Sequence, residues 1–401
     1  MMRTHHTIAV TVIAALSLGC PPAQAPSSRA RPADACAVSR QGDGGRIRRI
    51  FAGDAGTCAL FNNGTALCWG AIGRMSGSRE CPLVNGLVRA TEIALGEQHA
   101  CATVFGGEVR CWGWNYNNQL GPDRKEGCKR KEETCDIAGV PVTAPGVEDA
   151  LRIAAQAYGS CAVVQGGKVY CWGLGTDGDG DVLDNSTPRR MSSLHDVEQL
   201  AIGVSHLCAR FTDGTAACWG QNTHGALGTG TTRPKAGPSK IPGLNGVVEV
   251  VAGAWSSCAR LRTGKLACWG SNSSGELGDG TKKSHPTPVE VPGIDDAIGI
   301  GIGITHTCAL RKSGKVFCWG GNGLGQLGDG TFEERLRPTE VRGLEGVVQI
   351  AVGIYHSCAL LARGDVMCWG RNQAGELGDY AEKKSPVPIP ALKQTRVAAP
   401  P

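Results

Sequence analysis

The stretch that decides the fold is His306-Thr307-Cys308-Ala309-Leu310-Arg311-Lys312-Ser313-Gly314-Lys315-Val316-Phe317-Cys318-Trp319-Gly320. Two short apolar runs flank a polar turn, and a glycine stands six residues after the first cysteine. A three-residue hairpin loop needs a left-handed residue at its third place, which glycine takes without a Cβ penalty. The loop is then Lys312-Ser313-Gly314, closed by Arg311 and Lys315. Counting outward pairs Leu310 with Val316, Ala309 with Phe317 and Cys308 with Cys318. The cysteines fall at a non-hydrogen-bonded position, where Cα atoms are about 4.5 Å apart. That spacing admits a disulfide.

The phrase Cys-Ala, eight residues, Cys-Trp-Gly occurs seven times in the 401 residues. It pairs Cys58 with Cys68, Cys101 with Cys111, Cys161 with Cys171, and Cys208 with Cys218. The remaining copies pair Cys258 with Cys268, Cys308 with Cys318, and Cys358 with Cys368. Trp69 and Trp369 lie 300 residues apart across six intervals, a mean period of about 50, which suits one propeller blade. The last copy shows four short segments punctuated by glycine and proline: Val347–Gly353, His356–Leu360, Asp365–Gly370 and Ser385–Ile389. Such a unit reads as a four-stranded antiparallel blade. Both faces of these strands are apolar or small, as they are when neighbouring blades cover them. The recurrent alanine permits close approach of the next blade, and the tryptophan fills the gap between blades. The expected architecture is an all-β, seven-bladed β-propeller over residues 46–392, with a tail at 393–401.

Composition agrees. There are 59 glycines, 5% aromatic and 19% charged residues, and a formal charge of only +5. So small a charge gives no case for nucleic acid or an anionic membrane surface as partner. Fourteen paired cysteines imply an oxidising compartment. Each short staple contributes roughly 2–3 kcal/mol at most in the chain-entropy picture.

The N-terminus reads as a targeting segment. Arg3 precedes an apolar run, Thr7 to Leu18, too short to span a bilayer as a helix. Leu16-Ser17-Leu18-Gly19-Cys20 resembles a bacterial lipoprotein signal, which implies a signal peptide over residues 1–19 and lipidation of Cys20. Ala23-Gln24-Ala25 is the rival cleavage site. Residues 20–45, rich in Pro, Ala, Ser and Arg, read as a flexible tether. Export follows on either cleavage, with the protein held in the cell envelope or released, and with the membrane touched only through the lipid.

The runs His306 to Leu310, Gly314 to Gly320 and Asn322-Gly323-Leu324-Gly325-Gln326-Leu327-Gly328 resemble the regulator of chromosome condensation repeat. The resemblance implies a seven-bladed propeller and a scaffold for protein binding. The best-known member exchanges nucleotide on a nuclear GTPase. Secreted bacterial relatives include an inhibitor that binds β-lactamases. This chain departs from the family by its cysteine pairs, and repeat one lacks the Asn and Gly-x-Leu-Gly elements after Gly70. Repeat three carries Asp177-Gly178-Asp179-Gly180-Asp181 in their place, without the Glu at loop position twelve that a calcium loop requires.

No nucleophile elbow, catalytic triad or phosphate loop stands out, and no cofactor or metal is expected. His99, His206, His306 and His356 recur two residues before the first cysteine of four blades, where a buried imidazole bonded to backbone is expected. Glu276, Glu376, Asp279 and Asp379 recur as repeat elements, which argues for structural roles. Recognition belongs in the loops that interrupt the repeat. The largest interruption is Pro122 to Pro145, with Arg124, Lys125, Lys129, Arg130 and Lys131, and with Cys128 expected to pair with Cys135. Trp114 and Tyr116 precede it as candidate anchors. Cys36 and Cys81 are left to one another by elimination. The expected function is a monomeric binding module for an envelope protein or glycan, acting through rim loops. The alternatives are a lyase or hydrolase in the central funnel, or a nucleotide-exchange regulator like the family namesake.

Overall fold

A computed structural model describes residues 45–54, 56–72, 83–122, 137–156, 158–176, 182–379 and 382–392. Within them, strands from Ile47–Ala52 to Lys384–Leu392 form seven antiparallel sheets, each built from one continuous stretch of chain in strand order. Six sheets have four strands. The first has three, with an isolated Leu67–Leu83 bridge where a fourth strand would pair. Its repeat is one of the two that lack the Asn and Gly-x-Leu-Gly elements.

The hairpin of the sixth blade has the register expected of its sequence. Cys308 faces Cys318, Ala309 faces Phe317 and Leu310 faces Val316. Arg311 N donates to Lys315 O at 2.9 Å, and Gly314 turns the chain at φ +78°. All seven repeat pairs are disulfides joining the second and third strands of a blade. In blades 1 to 4, Cys58 is bonded to Cys68, Cys101 to Cys111, Cys161 to Cys171 and Cys208 to Cys218. In blades 5 to 7, Cys258 is bonded to Cys268, Cys308 to Cys318 and Cys358 to Cys368. Their Cα atoms are 4.0–4.1 Å apart, somewhat closer than the expected separation and equal around the ring.

Successive residues of a strand point to opposite sides, so Cys318 and Trp319 face different neighbours. The cystine of blade 6 packs with Leu310 and Val316 against Ala359, Leu361 and Trp369 of blade 7. Trp319 packs the other way, against the cystine of blade 5. The hydrophobic cores therefore lie between blades rather than within them. Trp369 is fully buried, and its indole N–H donates to Gln326 O of the preceding blade at 2.9 Å.

The loop after the third strand is fixed by one asparagine. Asn322 Oδ1 accepts from Leu327 N at 3.0 Å, while its Nδ2 donates to Thr331 O and Glu333 O, each at 3.0 Å. Gln326 Oε1 accepts from Leu324 N at 2.9 Å. Glu276 and Glu376 make the equivalent bonds to Ser274 N and Ala374 N and are buried, which gives them the structural role expected of repeat elements.

The ring is closed by the joint that also occurs within it. Gln349 Nε2 donates to Ile50 O at 2.7 Å and its Oε1 accepts from Ile50 N at 2.9 Å, joining blade 7 to blade 1. Gln199 bridges to Val250 in the same way, at 3.0 Å for both bonds. Among the described residues no strand is exchanged at the closure.

Candidate interaction face

Antiparallel strand order brings two kinds of loop out on one face of the ring. One is the short turn between first and second strands, and the other is the long loop between third and fourth strands. The stapled hairpin tips and the blade-to-blade connections occupy the opposite face. Six of the seven short turns begin with a glycine, and blade 3 has Gln156 in its place. A Cβ at Gly203 would lie 2.3 Å from Gly253 O, and one at Gly353 would lie 2.3 Å from Gly53 O. Only glycine permits this approach, which leaves a cavity of 30 Å³ at the mouth. Behind it, the first strands of all seven blades line a channel cavity of 320 Å³.

The residue after each turn glycine stands on the rim of that mouth. Blades 1 and 2 place Asp54 and Glu97 there, whereas blades 4 to 7 place Val204, Ala254, Ile304 and Ile354. Aromatic side chains follow at Tyr158, Trp255 and Tyr355. Trp255 is 44% exposed and Val204 43%, and the long loops add Tyr116 at 65% and Phe332 at 45%. Trp255 leans on His224 with ring centroids 6.2 Å apart, and Lys384 Nζ sits 4.2 Å from the Phe332 ring centroid. The opposite face exposes mainly aliphatic side chains, Val88, Leu151, Ile298 and Val348, with Phe105 under the Arg89 guanidinium. Aromatic anchors are the residue type that dominates interface energies, which favours the glycine-turn face.

The rim holds a carboxyl and a phenol that are both raised above their ordinary values. Burial, assisted by Glu97, pushes the Asp54 carboxyl up to about 6, with Arg371 opposing the rise. Tyr158 donates its hydroxyl to Glu97, and that bond raises the phenol to about 12. Arg371 Nε pairs with Glu376 Oε1 at 2.6 Å, and the guanidinium stacks 4.8 Å from the Tyr355 ring centroid.

The far end of the channel is charged. A cavity of 410 Å³ is lined by Arg49, Glu92, Arg152, Glu198, Arg210 and Glu249. Its carboxylates are engaged. Glu92 meets Arg49 at 3.4 Å and accepts from Ile153 N at 3.2 Å, Glu249 meets Arg260 at 2.8 Å, and Glu198 pairs with Arg210. This is the funnel site of the enzymatic alternative, and its acids serve to join strands.

The four histidines are buried, but their partners differ from the expected backbone groups. His99, His206, His306 and His356 bond through Nε2 to Ser160, Ser257, Ser357 and Thr57 at 2.7–2.9 Å. Each partner hydroxyl belongs to the next blade and stands one residue before its first cysteine, so the histidines tie blades together. Burial lowers His206 to about 4 and the other three to about 3. Among the described residues no group of three or more His, Cys, Asp or Glu is placed to hold a metal.

Of the sequence candidates, Trp114 ends a third strand half-buried, its backbone N–H donating to Gln98 O at 2.9 Å. Tyr116 is exposed on the glycine-turn face. Arg124, Lys125, Lys129, Arg130 and Lys131, the cysteines Cys20, Cys36, Cys81, Cys128 and Cys135, and the Asp177–Asp181 run lie outside the described residues. Sequence reasoning passed over Asp54, Glu97, Val204 and Trp255. Their signal is visible when the repeats are stacked on the turn glycine: two blades put an acid where four put an apolar residue.

Two profiles described as the regulator of chromosome condensation (RCC1) repeat match the chain, one at residues 213–260, 263–310 and 313–360. The second matches residues 90–119, 197–226, 247–276, 298–326 and 347–376. The ultraviolet-B receptor UVR8 of Arabidopsis thaliana is 29% identical over 203 residues, 47% of this chain and 44% of the receptor. The probable E3 ubiquitin-protein ligase HERC6 of Homo sapiens is 31% identical over 178 residues, 42% of this chain and 16% of the ligase. The chain thus matches less than half the length of either relative. Yeast RCC1 (Prp20), solved bound to Kap60, superposes with a TM-score of 0.71 at 20% identity, covering 93% of this chain and 92% of its own. A second structure of Prp20p, from Saccharomyces cerevisiae, is described with its binding properties to Gsp1p and histones; its TM-score is 0.70 at 20% identity, over 87% and 88% of the chains.

Proposed function

This chain belongs to the regulator of chromosome condensation (RCC1) repeat family, and on that premise we propose that it is an exported, lipid-anchored scaffold. It binds a protein of the cell envelope through the glycine-turn face. The observation that carries the reading is the set of exposed aromatic side chains on that face, Trp255, Tyr116, Phe332 and Tyr158. Rigid anchors on loops of a rigid scaffold bind with little loss of side-chain entropy. Prp20, with the same fold, was solved bound to Kap60 and is described with its binding properties to Gsp1p and histones. Seven disulfides favour an oxidising compartment, and Cys20 in its signal-like context supplies the anchor. A lipid on Cys20 and the short tether of residues 20–45 would keep the propeller within reach of its membrane.

Peptide mass spectrometry of the protein from its native cells, without reduction, tests the export half. Acylated Cys20 at the N-terminus and intact bridges are expected; free thiols or an unprocessed Met1 would overturn it. Pull-down of envelope proteins and polysaccharides tests the binding half. A protein partner retained by the wild type and lost with Trp255→Ala is expected. Retention of a polysaccharide alone would overturn the protein reading.

A further inference from the structure

We propose that the sector of the mouth over blades 1 and 2 seats one basic side chain, a lysine or arginine, from an extended partner segment whose apolar residues lie across blades 4 to 7. The proposal rests on the glycine-turn face being the binding face, and it adds the chemistry of what is bound.

The rim is divided by kind. Asp54 and Glu97 occupy adjacent turns, and those turns are pressed together: a Cβ at Gly53 would lie 2.4 Å from Leu95 Cβ and 3.2 Å from Gly96 O. The two acids are therefore held as neighbours by backbone packing and cannot spread apart. One guanidinium serves them. Arg371 is anchored by the buried Glu376 at 2.6 Å and by Asp54 O at 2.9 Å, and lies 3.8 Å from Asp54 Oδ1. Glu97 has no ion pair among the described residues and receives the Tyr158 hydroxyl. Among the described residues three carboxylates, Asp54, Glu97 and Glu376, thus face one guanidinium, an excess of two negative charges. The Asp54 side chain is only 20% exposed, so water screens it poorly. Burial first, and repulsion from Glu97 second, hold the Asp54 carboxyl above its usual range. An arriving ammonium or guanidinium offsets the repulsion between the acids, and the Tyr158 ring beside them adds a favourable face for a cation.

A bare metal ion answers the charge but not the surroundings. Beyond the acids the rim continues into Val204 and Trp255, each more than two-fifths exposed. A peptide with a basic residue and apolar neighbours complements both sectors at once.

The test is selection of random twelve-residue peptides displayed on phage against the whole protein, followed by synthesis of the consensus. The selected peptides are expected to share a lysine or arginine beside apolar residues. Replacing that basic residue by glutamine, or using Asp54→Asn with Glu97→Gln in the protein, is expected to weaken binding about tenfold or more. Melting curves of the double variant show that the ring is intact. Peptides without a basic residue, or binding unchanged in the double variant, overturn the proposal. If such peptides still lose binding with Trp255→Ala, the glycine-turn face stands as the binding face and only the basic seat falls. If Trp255→Ala leaves all of them bound, the face itself is wrong.

Discussion

At the scale of single residues, the buried imidazoles and the strained acid make opposite contributions to pH dependence. His99, His206, His306 and His356 stay neutral in the fold down to about pH 4 or below, but take up protons near pH 6.5 once unfolded. The unfolded chain then binds more protons, so their contribution falls as pH drops below about 6.5. Denaturant unfolding between pH 7 and pH 4.5 is expected to show this loss, and His306→Gln to reduce its slope by about one proton. Asp54 acts the other way. Its folded pKa of about 6 lies above its unfolded value, so its contribution is intact at low pH and is lost as pH rises through 6. Asp54→Asn is expected to stabilise by on the order of 1–3 kcal/mol at pH 7.5 and by nothing measurable near pH 4. Equal effects at both pH values would contradict the burial of that carboxyl.

At the scale of the element, the stapled hairpin was legible because three local signals agree: loop length, turn glycine and cysteine register. Opening the blade 6 staple with Cys308→Ser and Cys318→Ser is expected to cost about 2–3 kcal/mol, read as a lowered melting temperature. The turn glycines are a different matter. In one copy Gly203 looks like any loop glycine; that its Cβ would strike Gly253 O is a fact about the neighbouring blade. Gly203→Ala is expected to lower the melting temperature clearly. Gly323→Ala, whose Cβ would meet nothing within 4 Å, is expected to change stability by less than about 0.5 kcal/mol. The histidine partners were hidden for the same reason, because Ser357 and His306 are 51 residues apart and meet only across a blade boundary.

At the scale of the whole molecule, the sevenfold phrase determined the ring but not which face of it binds. The repeat elements are, by their recurrence, the part of the chain that cannot discriminate one rim sector from another. The acids of blades 1 and 2 and the aromatic side chains of the long loops are departures from the repeat, and their convergence depends on ring closure. At that closure the polar bonds of Gln349 to Ile50 run beside a hydrophobic core shared by blades 1 and 7. Gln349→Ala is expected to speed amide exchange in blades 1 and 7 ahead of the other five, a pattern that uniform exchange would exclude. The central claim concerns the face. Photo-crosslinking amino acids placed at Trp255, Phe332 and Phe105 in the protein within its native cells test it most directly. Discrete protein adducts from Trp255 and Phe332, and none from Phe105, are the result expected of a scaffold that binds through the glycine-turn face; adducts from Phe105 alone would contradict it.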